Sequence, residues 1–75
     1  MANPRTFSGA RLCAIRRALG LKAEQVAVAI DRSAFTIYAY ERGACVPSAA
    51  ALGELSAALN CRIDDFYTEA VDAAA

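Results

Sequence analysis

The sequence predicts an all-α fold, a compact domain of five short helices. Three observations point there. The 75 residues are 57% apolar, and much of that share is alanine, a strong helix former. Apolar side chains recur at helical spacing in successive short stretches. Serine precedes three of those stretches, and glycine or asparagine follows three, the ordinary starts and stops of helices. Both prolines, Pro4 and Pro47, fall at boundaries. A chain of this length holds one domain, which buries only about 60% of its unfolded surface.

The elements follow in order. Ser8 caps a first helix over about residues 9–19, with Leu12, Ile15 and Leu19 as its apolar stripe. Arg16 and Arg17 occupy its last turn, where cations suit the helix dipole, and Gly20 supplies the left-handed residue that ends it. The second helix covers about residues 23–30, with Val26, Ala27 and Ile30 inward. After the turn Asp31-Arg32, Ser33 caps a third helix that stops at Gly43 and turns Ile37 and Tyr40 inward. A loop over residues 44–47 leads to Ser48, the cap of a fourth helix over about residues 49–59, with Leu52, Leu55 and Leu59 on one stripe. Asn60 ends it. A short fifth helix is expected over about residues 63–69, burying Ile63 and Phe66. The expected core is Leu12, Leu19, Leu21, Val26, Ala27, Ile30, Ile37, Tyr40, Leu52, Leu55, Leu59, Ile63 and Phe66, with Cys61 as a small buried hydrophobe. Residues 1–8 are expected to form a flexible arm, 9–69 the folded domain, and 70–75 a frayed tail.

Charge is balanced in total and uneven in distribution. Residues 1–45 carry seven cations (Arg5, Arg11, Arg16, Arg17, Lys22, Arg32, Arg42) against Glu24, Asp31 and Glu41, a net of +4. Residues 46–75 carry Arg62 against Glu54, Asp64, Asp65, Glu69 and Asp72, a net of −4. A basic half can present a positive face to phosphate although the whole is neutral.

Composition excludes several kinds of chemistry. Histidine is absent, and Cys13, Cys45 and Cys61 are far apart and never paired as Cys-x-x-Cys, so no metal site is expected. Three dispersed cysteines read as free thiols in a reducing cytoplasm. No glycine-rich phosphate loop and no convergent carboxylate pair occurs, so neither an enzyme nor a cofactor is expected. Asp64 and Asp65 are adjacent and diverge around a helix. The first nine residues lack an apolar signal core, and no run of about 18 apolar residues could span a membrane. These features point to a cytoplasmic protein.

Two short helices joined by a tight turn, the second capped by serine, outline a helix-turn-helix. The stretch Leu21-Lys22-Ala23-Glu24-Gln25-Val26-Ala27 resembles the second-helix signature of the Cro and phage-repressor-like (Xre-type) helix-turn-helix proteins. Residues 33–43, with serine at the cap, Ile37 four residues on, then aromatic-Glu-x-Gly at Tyr40-Glu41-Arg42-Gly43, are similar to that family's recognition helix. Pro47, Leu52, Leu55, Leu59, Ile63 and Phe66 match its fourth- and fifth-helix pattern, so the resemblance covers about residues 9–69.

The resemblance implies a repressor-like regulator that binds double-stranded DNA with its third helix. It implies an ion pair between Arg16 and Glu41, chemically apt for an arginine fork and a carboxylate. It places Ala34, Phe35, Thr36, Tyr38 and Ala39 toward the bases. None of these is Arg, Lys, Asn or Gln, the residues that make bidentate base contacts. Ala34, Phe35 and Ala39 can meet thymine methyls, and Thr36 and Tyr38 can make single hydrogen bonds. Phe35 suits packing against a neighbouring chain about as well, whereas for Tyr38 contact with DNA is the favoured reading. Lys22, Arg32, Ser33 and Arg42, with Arg11, are the expected phosphate contacts, and Arg5 would lie on the flexible arm. The sequence departs from the family at Lys22-Ala23, where Ser or Thr followed by Gln is usual, and at Asp31, where glycine is common. Family members usually act as dimers, and the fifth helix and tail (Phe66, Tyr67, Val71) are the expected self-contact. The alternative function is a repressor-like protein-interaction module with weak or lost DNA binding, whose partner is a protein.

Overall fold

The computed structural model describes residues 5–69. Four α-helices are present: α1 Gly9–Ala18, α2 Ala23–Ala29, α3 Ala34–Arg42 and α4 Ala49–Ala58. Three begin as serine chemistry dictates. The hydroxyls of Ser8, Ser33 and Ser48 accept hydrogen bonds from the backbone N–H groups of Arg11, Thr36 and Ala51, each at 3.2 Å. Helix α2 starts at Lys22, whose side chain cannot accept. There Gln25 reaches back, and its Oε1 accepts the Lys22 N–H at 2.8 Å.

All four helices end alike, on a residue in the left-handed region. These are Gly20 (φ 71°), Asp31 (φ 56°), Gly43 (φ 77°) and Asn60 (φ 51°). Each reversal carries the paired hydrogen bonds of a Schellman motif. After α2, for example, the Arg32 N–H donates to the Ala27 carbonyl at 2.9 Å and the Asp31 N–H to the Val28 carbonyl at 3.2 Å. Short side chains at Asp31 and Asn60 tolerate the geometry that glycine supplies elsewhere.

The expected fifth helix is not an α-helix. Ile63–Phe66 forms one 3-10 turn, and the chain then extends into a strand, β2, Tyr67–Glu69. That strand pairs antiparallel with β1, Arg5–Phe7, in the register Arg5↔Glu69, Thr6↔Thr68 and Phe7↔Tyr67. Arg5 therefore belongs to a strand rather than to a flexible arm. Tyr and Thr favour extended backbone, and the aromatic rings reward it. Phe7 packs edge-on against Tyr67 at 6.2 Å and tilted against Phe66 at 6.5 Å. The sheet joins the start of the domain to its last turn, and the Ser8 N–H donates to the Phe66 carbonyl at 2.8 Å.

The core gathers Leu12, Val26, Ala27, Ile30, Ile37, Tyr40, Leu52, Leu55, Leu59 and Phe66, together with Ala23. Two expected members lie outside it. Leu19 is 51% exposed and Ile63 40% exposed. Leu19 is displaced because α1 buries Gly9, Leu12 and Arg16, not a Leu12–Ile15–Leu19 stripe. Ile63 opens the 3-10 turn at its outer corner. Leu21 and Cys61 are half-buried against the core, and burial pushes the Cys61 thiol pKa upward, with Asp65 adding to the rise.

Arg16 explains the rotation of α1. Its side chain and that of Glu41 are only 9% and 8% exposed and form a bidentate pair, Nε to Oε2 at 2.6 Å and Nη2 to Oε1 at 3.0 Å. Arg16 Nη1 also donates to the Leu21 carbonyl at 2.9 Å. The hydrogen bond that Arg16 donates to Glu41 raises the Arg16 pKa, against the opposing effect of burial, so the cation is stable. Gly9 makes the second close approach. A Cβ there would fall inside the Tyr40 and Glu41 carbonyl groups of α3.

Two stability outcomes follow. Arg16→Ala and Glu41→Ala each strand a buried charge and should cost about 3–5 kcal/mol. In a domain of this size that lowers the melting temperature by more than about 12 °C, and a shift under about 2 °C in both would contradict it. Gly9→Ala should destabilise by about 1–3 kcal/mol, because α3 backbone cannot rotate away. Gly53→Ala, in the interior of α4 with open space beside it, should instead stabilise by about 0.5–1 kcal/mol. Melts of the two variants should therefore move in opposite directions.

Candidate nucleic-acid interface

Helices α2 and α3, joined by the turn around Asp31, form a helix-turn-helix whose second helix is α3. Its inner side is Ile37, Ala39 and Tyr40, all buried. Its outer side is Phe35, Tyr38 and Arg42, spaced i, i+3, i+7 and so aligned on one stripe. Phe35 is 73% exposed and Tyr38 is 43% exposed. A single isolated apolar side chain on a surface is ordinary, but here a phenylalanine, a tyrosine and an arginine share one helical face.

Of the five expected base-facing residues, only Phe35 and Tyr38 are exposed on that surface. Ala34 and Thr36 are half-buried at the first turn. The Thr36 hydroxyl lies 3.1 Å from the Ser33 hydroxyl, which ties it to the cap. Ala39 is only 7% exposed. It belongs to the inner wall of α3 and offers nothing to a ligand, a correction to its expected place among the base contacts. The amphipathic pattern hid this, because alanine reads the same on either face.

The expected phosphate contacts separate into two groups. Lys22, at the start of α2, and Arg42, at the end of α3, make no ion pair among the described residues. Arg17, which the sequence did not single out for DNA, is exposed and equally without an ion pair. Arg32 and Arg11 are committed elsewhere. Arg32 Nη2 lies 3.4 Å from Glu54 Oε1 on α4. Arg11 Nε donates to the Asp65 carbonyl at 3.0 Å, beside the 3-10 turn. Ser33, as the α3 cap, keeps its hydroxyl at the helix N-terminus, where backbone N–H groups and the dipole favour an anion.

Arg5 is held at the far corner. Its guanidinium donates to the carbonyls of Asp64 at 2.9 Å and Tyr67 at 3.3 Å and lies 3.9 Å from the Asp64 carboxylate. A small open cleft there is lined by Arg5, Ile63, Asp64 and Tyr67, with no residue of α3. Of the residues expected to make a self-contact, Phe66 is fully buried in the core and Tyr67 is half-buried. Val71 lies outside the described residues. Phe66 is thus excluded from any contact between copies. Among the described residues no helix is long and apolar enough to cross a membrane, and no group of three or more Cys, Asp or Glu side chains is placed to hold a metal.

Comparison with known proteins agrees with this architecture. A family model described as a helix-turn-helix domain matches residues 9–65. No curated protein sequence matches the chain. Among solved structures, the chain is similar to the P22 c2 repressor bound to a synthetic operator, with a TM-score of 0.74 and 29% identity over 79% of this chain and 89% of that one. It is similar to the restriction-modification controller protein C.AhdI from Aeromonas hydrophila, with a TM-score of 0.74 and 28% identity over 77% and 88% of the two chains. It is also similar to the clp gene regulator ClgR from C. glutamicum, with a TM-score of 0.73 and 28% identity over 77% and 75%. On this match over most of its length, and on the α2–α3 geometry, the chain belongs to the Cro and phage-repressor-like, Xre-type helix-turn-helix family.

Proposed function

We propose that this protein is a DNA-binding transcriptional regulator of the repressor-like kind, which lays α3 into the major groove. The observation that carries this reading is the outward stripe Phe35–Tyr38–Arg42 on a helix whose opposite side is core. A helix of about 10–12 Å diameter with side chains suits the width of that groove. The P22 c2 repressor, similar in fold, is a protein described on operator DNA.

Affinity in this reading is mainly electrostatic. Lys22 and Arg42 can neutralise phosphates on either side of the groove, and the capped N-terminus of α3 at Ser33 adds a partial positive charge. Readout of bases is weaker. Ala34 and Phe35 offer apolar contact to thymine methyls, and Thr36 and Tyr38 offer single hydrogen bonds, so A·T-rich sites are favoured. Two copies related by a two-fold axis would set two α3 helices one turn of DNA apart, on a near-palindromic site. With Phe66 unavailable, Tyr67 and the tail are the self-contact that remains. The components of this function need neither a cofactor nor catalytic chemistry.

The exposed Phe35 also supports a second reading, a module that binds a protein through α3. A buried aromatic anchor is what protein interfaces prefer, and α3 has no residue that makes a bidentate base contact.

Salt titration separates the two. On specific and random duplexes, log K should fall linearly with log salt, and Arg42→Ala should flatten the slope by about 0.9 on every sequence. Thr36→Ala or Tyr38→Ala should instead change the preference between sites and leave the slope alone. Absence of binding to any duplex at about 50 mM salt, where phosphate contacts are strong, would favour the protein-binding reading.

A further inference from the structure

We propose that Glu54 is an acidic restraint on the DNA interface, holding Arg32 away from the phosphate backbone so that this arginine is silent in the unmodified protein. The proposal rests on the DNA-binding reading above.

Arg32 occupies the position from which a phosphate contact would be expected. It directly precedes Ser33, the cap of α3, at the end that helix-turn-helix proteins point toward base edges. Its backbone has no freedom to choose a partner. The Arg32 N–H is committed to the Ala27 carbonyl at 2.9 Å, closing the turn in which Asp31 takes the left-handed conformation. Only the side chain can select, and it selects Glu54, with Nη2 at 3.4 Å from Oε1.

The surroundings of the two kinds of cation differ in sign. Arg42 follows Glu41, but that carboxylate is buried and fully engaged by Arg16. Among the described residues, Lys22 has no carboxylate within ion-pair distance. Arg32 stands between Asp31, its chain neighbour, and Glu54, its ion-pair partner, so its charge is outnumbered locally. Transfer of the guanidinium to a phosphate would leave Glu54 unpaired beside a polyanion. That repulsion opposes the gain from the new contact, so the pair persists when DNA is bound. The pair itself is partly exposed, contributes little to folding, and is screened by salt. Neutralising Glu54 therefore changes binding without endangering the domain.

The experiment is a salt titration of duplex binding, between about 50 and about 200 mM, for the wild type, Glu54→Gln, Arg32→Gln and the double variant. Glu54→Gln keeps the side-chain size and removes the charge. If Glu54 silences Arg32, Glu54→Gln binds more tightly than wild type and its log–log salt slope is steeper by about 0.9, one added phosphate contact. Its advantage then shrinks by about 3.5-fold across that salt range. Arg32→Gln and the double variant share the wild-type slope. An unchanged slope in Glu54→Gln, a weaker affinity, or a steeper slope that persists without Arg32 would each overturn the proposal while leaving DNA binding intact. Failure of the wild type to bind any duplex would overturn the DNA reading and this proposal with it.

Discussion

Arg16 and Glu41 meet inside the domain, and three segments depend on how they meet. The guanidinium takes both carboxylate oxygens from the last turn of α3 and the Leu21 carbonyl from the turn that leads into α2. One side chain on α1 thus fixes the end of α3 and the approach to Lys22. Burying two charges carries a desolvation penalty, which the bidentate geometry and the third hydrogen bond offset. A hydrophobic contact of similar size would tolerate sliding and rotation. A forked ion pair does not, so the interaction sets the orientation of α3 as well as its attachment. Gly9 supports the same junction, since its missing side chain lets α1 pass beneath the Tyr40 and Glu41 carbonyls.

With α3 held in this way, its two faces have separate roles. Ile37, Ala39 and Tyr40 complete the core, and Phe35, Tyr38 and Arg42 are left outside. The charge balance of the chain acquires meaning from the same arrangement. Its net charge is zero, but the cations without an ion pair among the described residues, Arg17, Lys22 and Arg42, come from the first half, around the helix-turn-helix. Two anions of the second half are spent on cations: Asp64 on Arg5 and Arg62, and Glu54 on Arg32. Ion pairing therefore shapes the positive face by deciding which cations stay free, and a count of charges alone does not reveal it.

Local chemistry was readable from the sequence, and contacts distant along the chain were not. Ser8, Ser33 and Ser48 announce the starts of α1, α3 and α4, and Gly20, Asp31, Gly43 and Asn60 announce the stops, because caps and reversals involve neighbours three or four residues away. The Arg16–Glu41 pair was visible only through resemblance to a family, since nothing in residues 16 and 41 taken separately connects them. The sheet was hidden because β1 and β2 are three residues each and their partners stand at opposite ends of the chain, as with Arg5 and Glu69. Leu19 and Ile63 misled because apolar spacing marks a stripe without saying where it ends. Ala39 misled for the opposite reason, being small enough to suit either face. Gly9 carried no signal at all, since its importance lies in the α3 backbone above it.

In the proposed DNA complex, this buried pair would present the outer face of α3 to the duplex. Backbone amide shifts of isotope-labelled protein, followed by NMR as an A·T-rich duplex is added, test it most directly. The largest changes are expected at Lys22 and from Ser33 to Arg42, with little change at Arg5, Ile63 and Tyr67. Under the same addition, Glu41→Gln, which weakens the pair without emptying its site, should show smaller and more scattered changes along α3. Shifts concentrated at the strand corner, or a Glu41→Gln response identical to wild type, would contradict the account.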